Sequence, residues 1–304
     1  MKLHSSLHFP RRLAFAPRVR ASAAATVAVA MASFAVAAPA RADATLERIK
    51  QRGTLVVGVD GASPPFGIMD PATGKVGGFQ TELGADIARR LGVKLETVSV
   101  TASTRVQFLQ AGKVDLLVAN IQWTRERSAS LSYAPTPYNE VGGAALVSKR
   151  SGITRWEDLK GKVACVSQGS NYAEPLDKTY GAVVKGLRGI PESLLALKGG
   201  TCAASVHIQP ALYELLHGPH AKEWEGYTLA TADQLIPSPT VIWTRRNEAD
   251  TRAFVDGVIQ DWLKSGYLLA QARKFGVPDD YIRKASDNAR LGKFDKAPAE
   301  IQEQ

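Results

Sequence analysis

Apolar positions in the middle of the chain switch between a helical and a strand spacing. Arg105, Val106, Phe108 and Leu109 predict a short amphipathic helix that Gly112 stops. Val114 to Ala119 is an apolar run with one acid, the pattern of a strand buried in a parallel sheet. Asn120 to Thr124 is the polar mouth of that strand, and Thr124-Arg125-Glu126-Arg127 opens the next helix with Thr124 as its N-cap. Upstream, Thr45 to Arg52 predicts a helix ended by Gly53, Thr54 to Val59 a strand, Phe79 to Leu91 a helix closed by Gly92, and Lys94 to Val100 a strand. Pro64 and Pro65 exclude regular structure from the Gly61 to Phe66 loop, and Met69 to Gly77 predicts a hairpin turn. Such alternation implies a mostly parallel sheet with helices on both faces. Ligands bind such sheets at the carboxyl ends of strands, beside helix N-termini that favour anions. Arg127 is expected at that place, where its planar fork suits a carboxylate.

The pattern then repeats. Tyr138 to Ser148 leaves the first unit through Gly142-Gly143. Residues 145 to about 236 carry strands at Val163 to Val166 and Cys202 to His207, and helices near Trp156, after Gln168 to Asn171, at Ile190 to Leu197 and at Pro210 to Leu216. Val241 to Trp243 returns to the first unit, which gains helices at Thr251 to Ser265 and Tyr267 to Phe275. From Val277 the chain is polar and reads as a surface tail. The expected organisation is a first lobe over 43–143, a second lobe over 144–239, a return to lobe one over 240–276, and a tail over 277–304. Two lobes joined by two crossing segments make a hinged clamp.

The first 42 residues stand apart. Arg11, Arg12, Arg18 and Arg20 precede the uncharged run Ala21 to Ala38, and Ala40-Arg41-Ala42 supplies small residues where a signal peptidase reads. These features predict a signal peptide over residues 1–42, cleaved after Ala42, and a periplasmic location. The leader holds six basic residues and no acid, so its loss leaves 32 of 38 basic residues against 29 acids, a net charge of +3 rather than +9. With no long basic run left, a nucleic-acid partner is rejected. Cys165 and Cys202 are bound for an oxidising compartment, and His207, His217 and His220 do not sit at metal spacing from them. A disulfide is expected, with no metal and no cofactor.

Several segments together resemble one family. The Gly-Lys-x-Asp turn, the apolar strand, Thr-x-x-Arg and Tyr133 to Tyr138 (YAPTPY) are similar to the periplasmic amino-acid-binding proteins of ABC importers, bacterial extracellular solute-binding family 3. Leu55 to Phe66 (LVVGVDGASPPF) resembles that family's opening strand and ligand loop, and Gly78 to Leu83 (GFQTEL) its first long helix. Trp156 to Gly161 and Val163 to Ser170 resemble the entry to its second lobe. The resemblance covers about residues 46 to 276. It implies a two-lobe type II periplasmic-binding-protein fold, an α/β architecture in which each lobe is a mostly parallel sheet flanked by helices. The implied function is capture of an amino acid by cleft closure and delivery, by a monomer, to an ABC permease in the inner membrane.

The resemblance assigns the α-carboxylate to Arg127, with Asn120, Gln122 and Thr124 at the strand mouth and Gly169, Ser170 and Asn171 as the facing loop of lobe two. Phe66 belongs to the ligand loop. Ala102 and Ser63 stand where neutral and basic binders place aromatic residues, while Thr104-Arg105 is similar to the pair found in acidic binders. Asp60 stands where acidic binders often carry a base, and Ile208 where the family usually has the aspartate for the ammonium. Arg105, Arg127 and Asp60 sum to +1, so the expected ligand is a polar or acidic amino acid such as glutamate or aspartate. Two other readings stay open. Cyclohexadienyl dehydratases share the fold and use cleft carboxylates, for which Asp60, Glu140 and His207 are candidates without forming a nucleophile–base–orienter set. The second is a ligand-presenting sensory protein.

Overall fold

The computed structural model describes residues 43–230 and 233–299; the expected signal peptide and the last five residues of the tail lie outside them. Asp43 caps α1 (Ala44–Arg52) by accepting from the Thr45 N–H at 3.3 Å, and Gly53 ends the helix in the left-handed conformation. β1 (Thr54–Val59) is buried from its second residue onward. Leu55, Val57 and Val59 enter one core cluster while Val56 enters another, so both faces of the sheet are covered. β2 (Ala62–Ser63), β3 (Gly67–Met69) and β4 (Val76–Gly77) form a small antiparallel sheet, whose expected turn is held by Asp70 accepting from Ala72 N–H at 2.8 Å. Gly67 passes the Asp60 carbonyl so closely that no side chain fits there.

α2 (Phe79–Leu91) buries Phe79, Leu83 and Ile87, one residue per turn. β5 (Lys94–Ser99), α3 (Arg105–Gln110), β6 (Leu116–Leu117), α4 (Arg125–Ser130) and β7 (Ser132–Tyr133) complete the first pass. β6 is shorter than the run 114–119 expected for it, yet Asp115 N–H and Val118 N–H still donate to β1 carbonyls at 2.8 and 3.0 Å. β1 pairs in parallel with β5 and β6.

β8 (Asn139–Ser148) leads into the second sheet, followed by β9 (Val163–Ser167), α5 (Ala173–Lys178), β10 (Val183–Leu187), α6 (Ile190–Lys198), β11 (Ala204–Ile208), α7 (Gln209–His217), β12 (Tyr227–Leu229) and β13 (Leu235–Thr240). The order is β10-β9-β11-β8-β12, with β13 also on β8. β8 and β13 run antiparallel, and Thr240 faces Asn139 where the two hinge segments cross. β14 (Trp243–Thr244) then closes the first sheet as β5-β1-β6-β14-β7. This is the two-lobe α/β fold, with two mixed sheets flanked by helices. Cys165 and Cys202 are joined by a disulfide across lobe two, with Cα atoms 5.8 Å apart.

α8 (Ala249–Ser265), α9 (Tyr267–Lys274) and α10 (Asp280–Arg290) pack together on lobe one. α10 corrects the expectation of a surface tail. Ile282, Ala285 and Ala289 enter the core that holds Val258 and Trp262, and Ala297 N–H donates to the Pro135 carbonyl at 2.8 Å. The stripe is made of small residues set among charges, so its average polarity conceals an amphipathic helix.

Candidate ligand-binding cleft

The mouths of both sheets enclose a cavity of about 110 Å³ between the lobes. Lobe one contributes Asp60 at the end of β1, Ser63 from β2, Arg105 from the first turn of α3 and Asn120 just beyond β6. Lobe two contributes Ser170, Asn171 and Tyr172 from the β9–α5 loop and His207 with Ile208 from the end of β11.

Five of these residues share unmet hydrogen bonding. Ser63 Oγ, Arg105 Nε, both amide atoms of Asn120, Tyr172 Oη and His207 Nε2 are all buried without a partner. Buried polar groups are rarely left unpaired, and each costs about 1–3 kcal/mol, so their convergence suits a polar ligand. Asn120 adds backbone strain, since it is 5% exposed and adopts a left-handed φ of 48°. Its N–H donates to Tyr138 Oη at 3.0 Å, which fixes the turn and leaves the amide to the cavity.

Charge in the cleft is arranged around Arg105. Its side chain has no hydrogen bond or ion pair among the described residues. Burial pushes its pKa down, and the attraction of Asp60, Tyr172 and Tyr138 works in the other direction. Burial lifts the Asp60 carboxyl above the ordinary carboxylate range, opposed by the Ala62 N–H donating to Oδ1 at 3.0 Å and by Arg105. Desolvation alone pushes His207 down to about 3, so its imidazole is neutral at pH 7.

Arg127 occupies a different place from the one expected. Thr124 Oγ1 accepts from its N–H at 3.2 Å, the predicted N-cap. The residue is 8% exposed, and its guanidinium donates through Nη1 to the Gln122 carbonyl at 2.9 Å and through Nη2 to the Gly169 carbonyl of lobe two at 3.4 Å. Burial, and then the positive charge of Arg105, push its pKa down to about 9. Arg127, Thr124 and Gly169 are not among the residues that line the cavity. Gln122 lines the cavity but commits its amide. Nε2 donates to the Val141 and Ile236 carbonyls at 2.6 and 3.0 Å, and Oε1 accepts from Asn171 Nδ2 at 3.0 Å.

The sequence profile of the bacterial extracellular solute-binding proteins, family 3, matches residues 55–278. The chain belongs to that family. L-cystine-binding protein TcyJ of Escherichia coli (strain K12) is 28% identical over 233 residues, covering 76% of this chain and 85% of TcyJ. A glutamine-binding protein of Geobacillus stearothermophilus is 34% identical over 161 residues, covering 51% of this chain and 61% of that one. Among solved structures, a mutant of ArgBP from T. maritima is similar at a TM-score of 0.70 and 27% identity, covering 77% of this chain and 100% of that one. The solute receptor for L-cysteine of Neisseria gonorrhoeae is similar at 0.69 and 29%, covering 76% and 92%. The ancestral amino acid-binding protein AncCDT-1, described as a precursor of cyclohexadienyl dehydratase, is similar at 0.67 and 26%, covering 76% and 99%.

Within this family fold, Asp60, Arg105, Asn120, Gln122, Ser170 and Asn171 line one cavity. Phe66 is not. It is fully buried in the lobe-one core, edge-on to Phe79 at 6.3 Å, because the ligand loop turns its last residue inward. Ala102 and Ser63 do line the cavity without an aromatic ring, but Tyr172 supplies one from lobe two. Its ring lies over Gly143, where an added Cβ would come within 3.0 Å of Tyr172 Cε1. The signal for it was Gly143 on a hinge strand facing an aromatic after the Gly169-Ser170-Asn171 loop, a pairing visible only in three dimensions. Glu140 is exposed and outside the cavity, so it does not join Asp60 and His207. Among the described residues, no cluster of His, Cys, Asp or Glu is placed to hold a metal, and no helix is long and apolar enough to cross a membrane.

Proposed function

We propose that the chain is the periplasmic solute-binding subunit of an ABC importer, capturing one polar or acidic amino acid by closure of its two lobes. The observation that carries this reading is the convergence of unpartnered polar atoms from both lobes on one small cavity. A zwitterion offers a carboxylate to Arg105 and Asn120 and an ammonium to Asp60, whose expected family counterpart at position 208 is isoleucine. Arg127 adds its charge from outside the cavity lining while tying the lobes together. Arg105, Arg127 and Asp60 sum to +1, which favours glutamate or aspartate over a basic ligand. The relatives named as cystine- and glutamine-binding proteins support a polar amino acid.

The same reading places the mature protein in the periplasm after cleavage behind Ala42, as a monomer that docks on an inner-membrane permease. A thermal-shift screen of the mature protein against amino acids and dicarboxylates tests it. A ligand at 100 times its Kd adds about 2.7 kcal/mol of stability, and an unchanged midpoint with every amino acid overturns the reading. The likeness to a dehydratase precursor keeps an enzyme reading in view. Incubation with arogenate and prephenate is expected to give no product; turnover of either would replace binding by catalysis.

A further inference from the structure

A second pocket, of about 440 Å³, adjoins the cleft. Ala62 of lobe one and Ile190 of lobe two line both spaces, so the wall they share is built by both lobes. Pro64 and Ile68 of the β2–β3 hairpin form the lobe-one side of the second pocket. Leu194 of α6, with Leu212 and Leu215 of α7, forms the other side, and α6 packs against β2. Opening the hinge pulls these two sides apart, so the pocket belongs to the closed form. Its lining is apolar yet wet, with Ile68 53% exposed. Its volume falls within the range of about 300–1,000 Å³ typical of small-molecule sites.

The charge on this lining is negative. Glu214 of α7 lines the pocket, and its carboxylate makes no hydrogen bond or ion pair among the described residues. His220 also lines it, but its Nδ1 lies 3.3 Å from Glu223 Oε1 and is engaged there. Among the described residues no lysine or arginine joins the lining. An unpaired carboxylate beside an apolar wall suits a cation with an apolar body and disfavours an anion. The cleft has the opposite sign, since Arg105, Arg127 and Asp60 sum to +1.

We propose that this pocket is a second binding site, for a primary amine with a compact apolar body, and that its occupant stabilises the closed lobes. Ala62 carries the coupling. Its N–H donates to Asp60 Oδ1 at 3.0 Å, so the strand that walls the second pocket also holds a carboxylate of the cleft. An occupant that binds only the closed form raises affinity in the cleft, and a ligand in the cleft raises the occupant's affinity by the same factor.

Three probes with one body and different heads test this: 1-hexylamine, 1-hexanol and hexanoate, titrated calorimetrically into the unliganded mature protein. The expected order is amine, alcohol, carboxylate, the reverse of what the charge of the cleft selects. 1-Butylamine, two methylenes shorter, is expected to bind about 15-fold more weakly than hexylamine. Leu194→Asp is expected to abolish hexylamine binding and Ile68→Ser to weaken it. Ile68 is on the surface, so Ile68→Ser reports even where Leu194→Asp fails to fold. Glu214→Gln is expected to erase the preference for amine over alcohol, which for a half-exposed pair is up to about fivefold. Small-angle scattering should show that hexylamine contracts the unliganded protein. Hexanoate binding above hexylamine, hexylamine binding that neither Ile68→Ser nor Glu214→Gln alters, or no binding of any probe overturns the site. Binding without contraction overturns its link to closure. None of these outcomes touches the amino-acid reading of the cleft, which the thermal-shift screen decides.

Discussion

Gly169 of lobe two rests on the backbone of Ala102 in lobe one, where an added Cβ would lie 2.8 Å from the Ala102 carbonyl oxygen. The lobes therefore meet backbone to backbone at the edge of the cavity, and Gly169 also holds a φ of 80° that L side chains rarely adopt. Gly169→Ala is expected to fold but to close poorly. Overpacking of this kind costs about 1–3 kcal/mol, or about 5- to 150-fold in affinity when it acts on the closed state alone. Small-angle scattering with and without ligand checks it, since the variant should stay more extended than the wild type at saturation.

Arg127 bonds to a carbonyl from each lobe, so its loss removes both a latch and a positive charge. Arg127→Ala is expected to weaken binding by about 1–3 kcal/mol, about 5- to 150-fold, through the two carbonyls it leaves unpaired. Arg127→Lys cannot span two carbonyls with one fork and should recover little. Calorimetry with the identified ligand decides the point; a loss below about threefold in a folded variant would remove Arg127 from the account.

These two sites show how much was legible in the sequence. The turn of Thr124 to Arg127 was readable because capping and helix start depend on residues three apart. The two-lobe alternation was readable because β1, β9 and β11 are apolar runs between helical spacings. Other features depend on contacts distant in sequence. Tyr172 reaches the cavity over Gly143, and Arg127 turns to Gly169, 42 residues away. β13 was hidden by Pro237 and Pro239, which sequence reasoning treats as strand breakers although β13 is an edge partner of β8. Phe66 was misassigned because the side on which a loop turns its aromatic residue follows from core volume, not from local spacing.

The disulfide carries a stability prediction. It closes a separation of 37 residues inside lobe two, and both cysteines are buried. In the chain-entropy model its loss costs about 4 kcal/mol. The double variant Cys165→Ser, Cys202→Ser should lower the denaturant midpoint accordingly while still binding ligand. Intact-mass analysis of periplasmically expressed protein after alkylation without reductant should show neither cysteine modified.

His207 predicts an acid limb in the stability of the unliganded protein. Its folded pKa lies near 3 against an ordinary value of 6.5, so the unfolded chain binds the extra proton between these values. Its contribution is complete above pH 6.5 and is lost as pH falls toward 3, at up to about 1.4 kcal/mol per unit. Asp60, whose pKa is raised, works oppositely by costing stability as it ionises. Denaturant titrations of wild type and His207→Gln between pH 4 and 7 separate them, because only the histidine's share disappears in the variant. Parallel slopes would mean that His207 is not held neutral.

The most direct test of the account is calorimetric titration of the mature protein and of Arg105→Glu with glutamate, aspartate, arginine and lysine. Arg105 is the cation that lines the cavity, and its side chain makes no hydrogen bond or ion pair among the described residues. The wild type is predicted to bind an acidic amino acid and to ignore the basic ones. Arg105→Glu changes the charge of Arg105, Arg127 and Asp60 from +1 to −1 and should abolish acidic binding. Tight binding of arginine or lysine by the wild type, with glutamate and aspartate ignored, would contradict it.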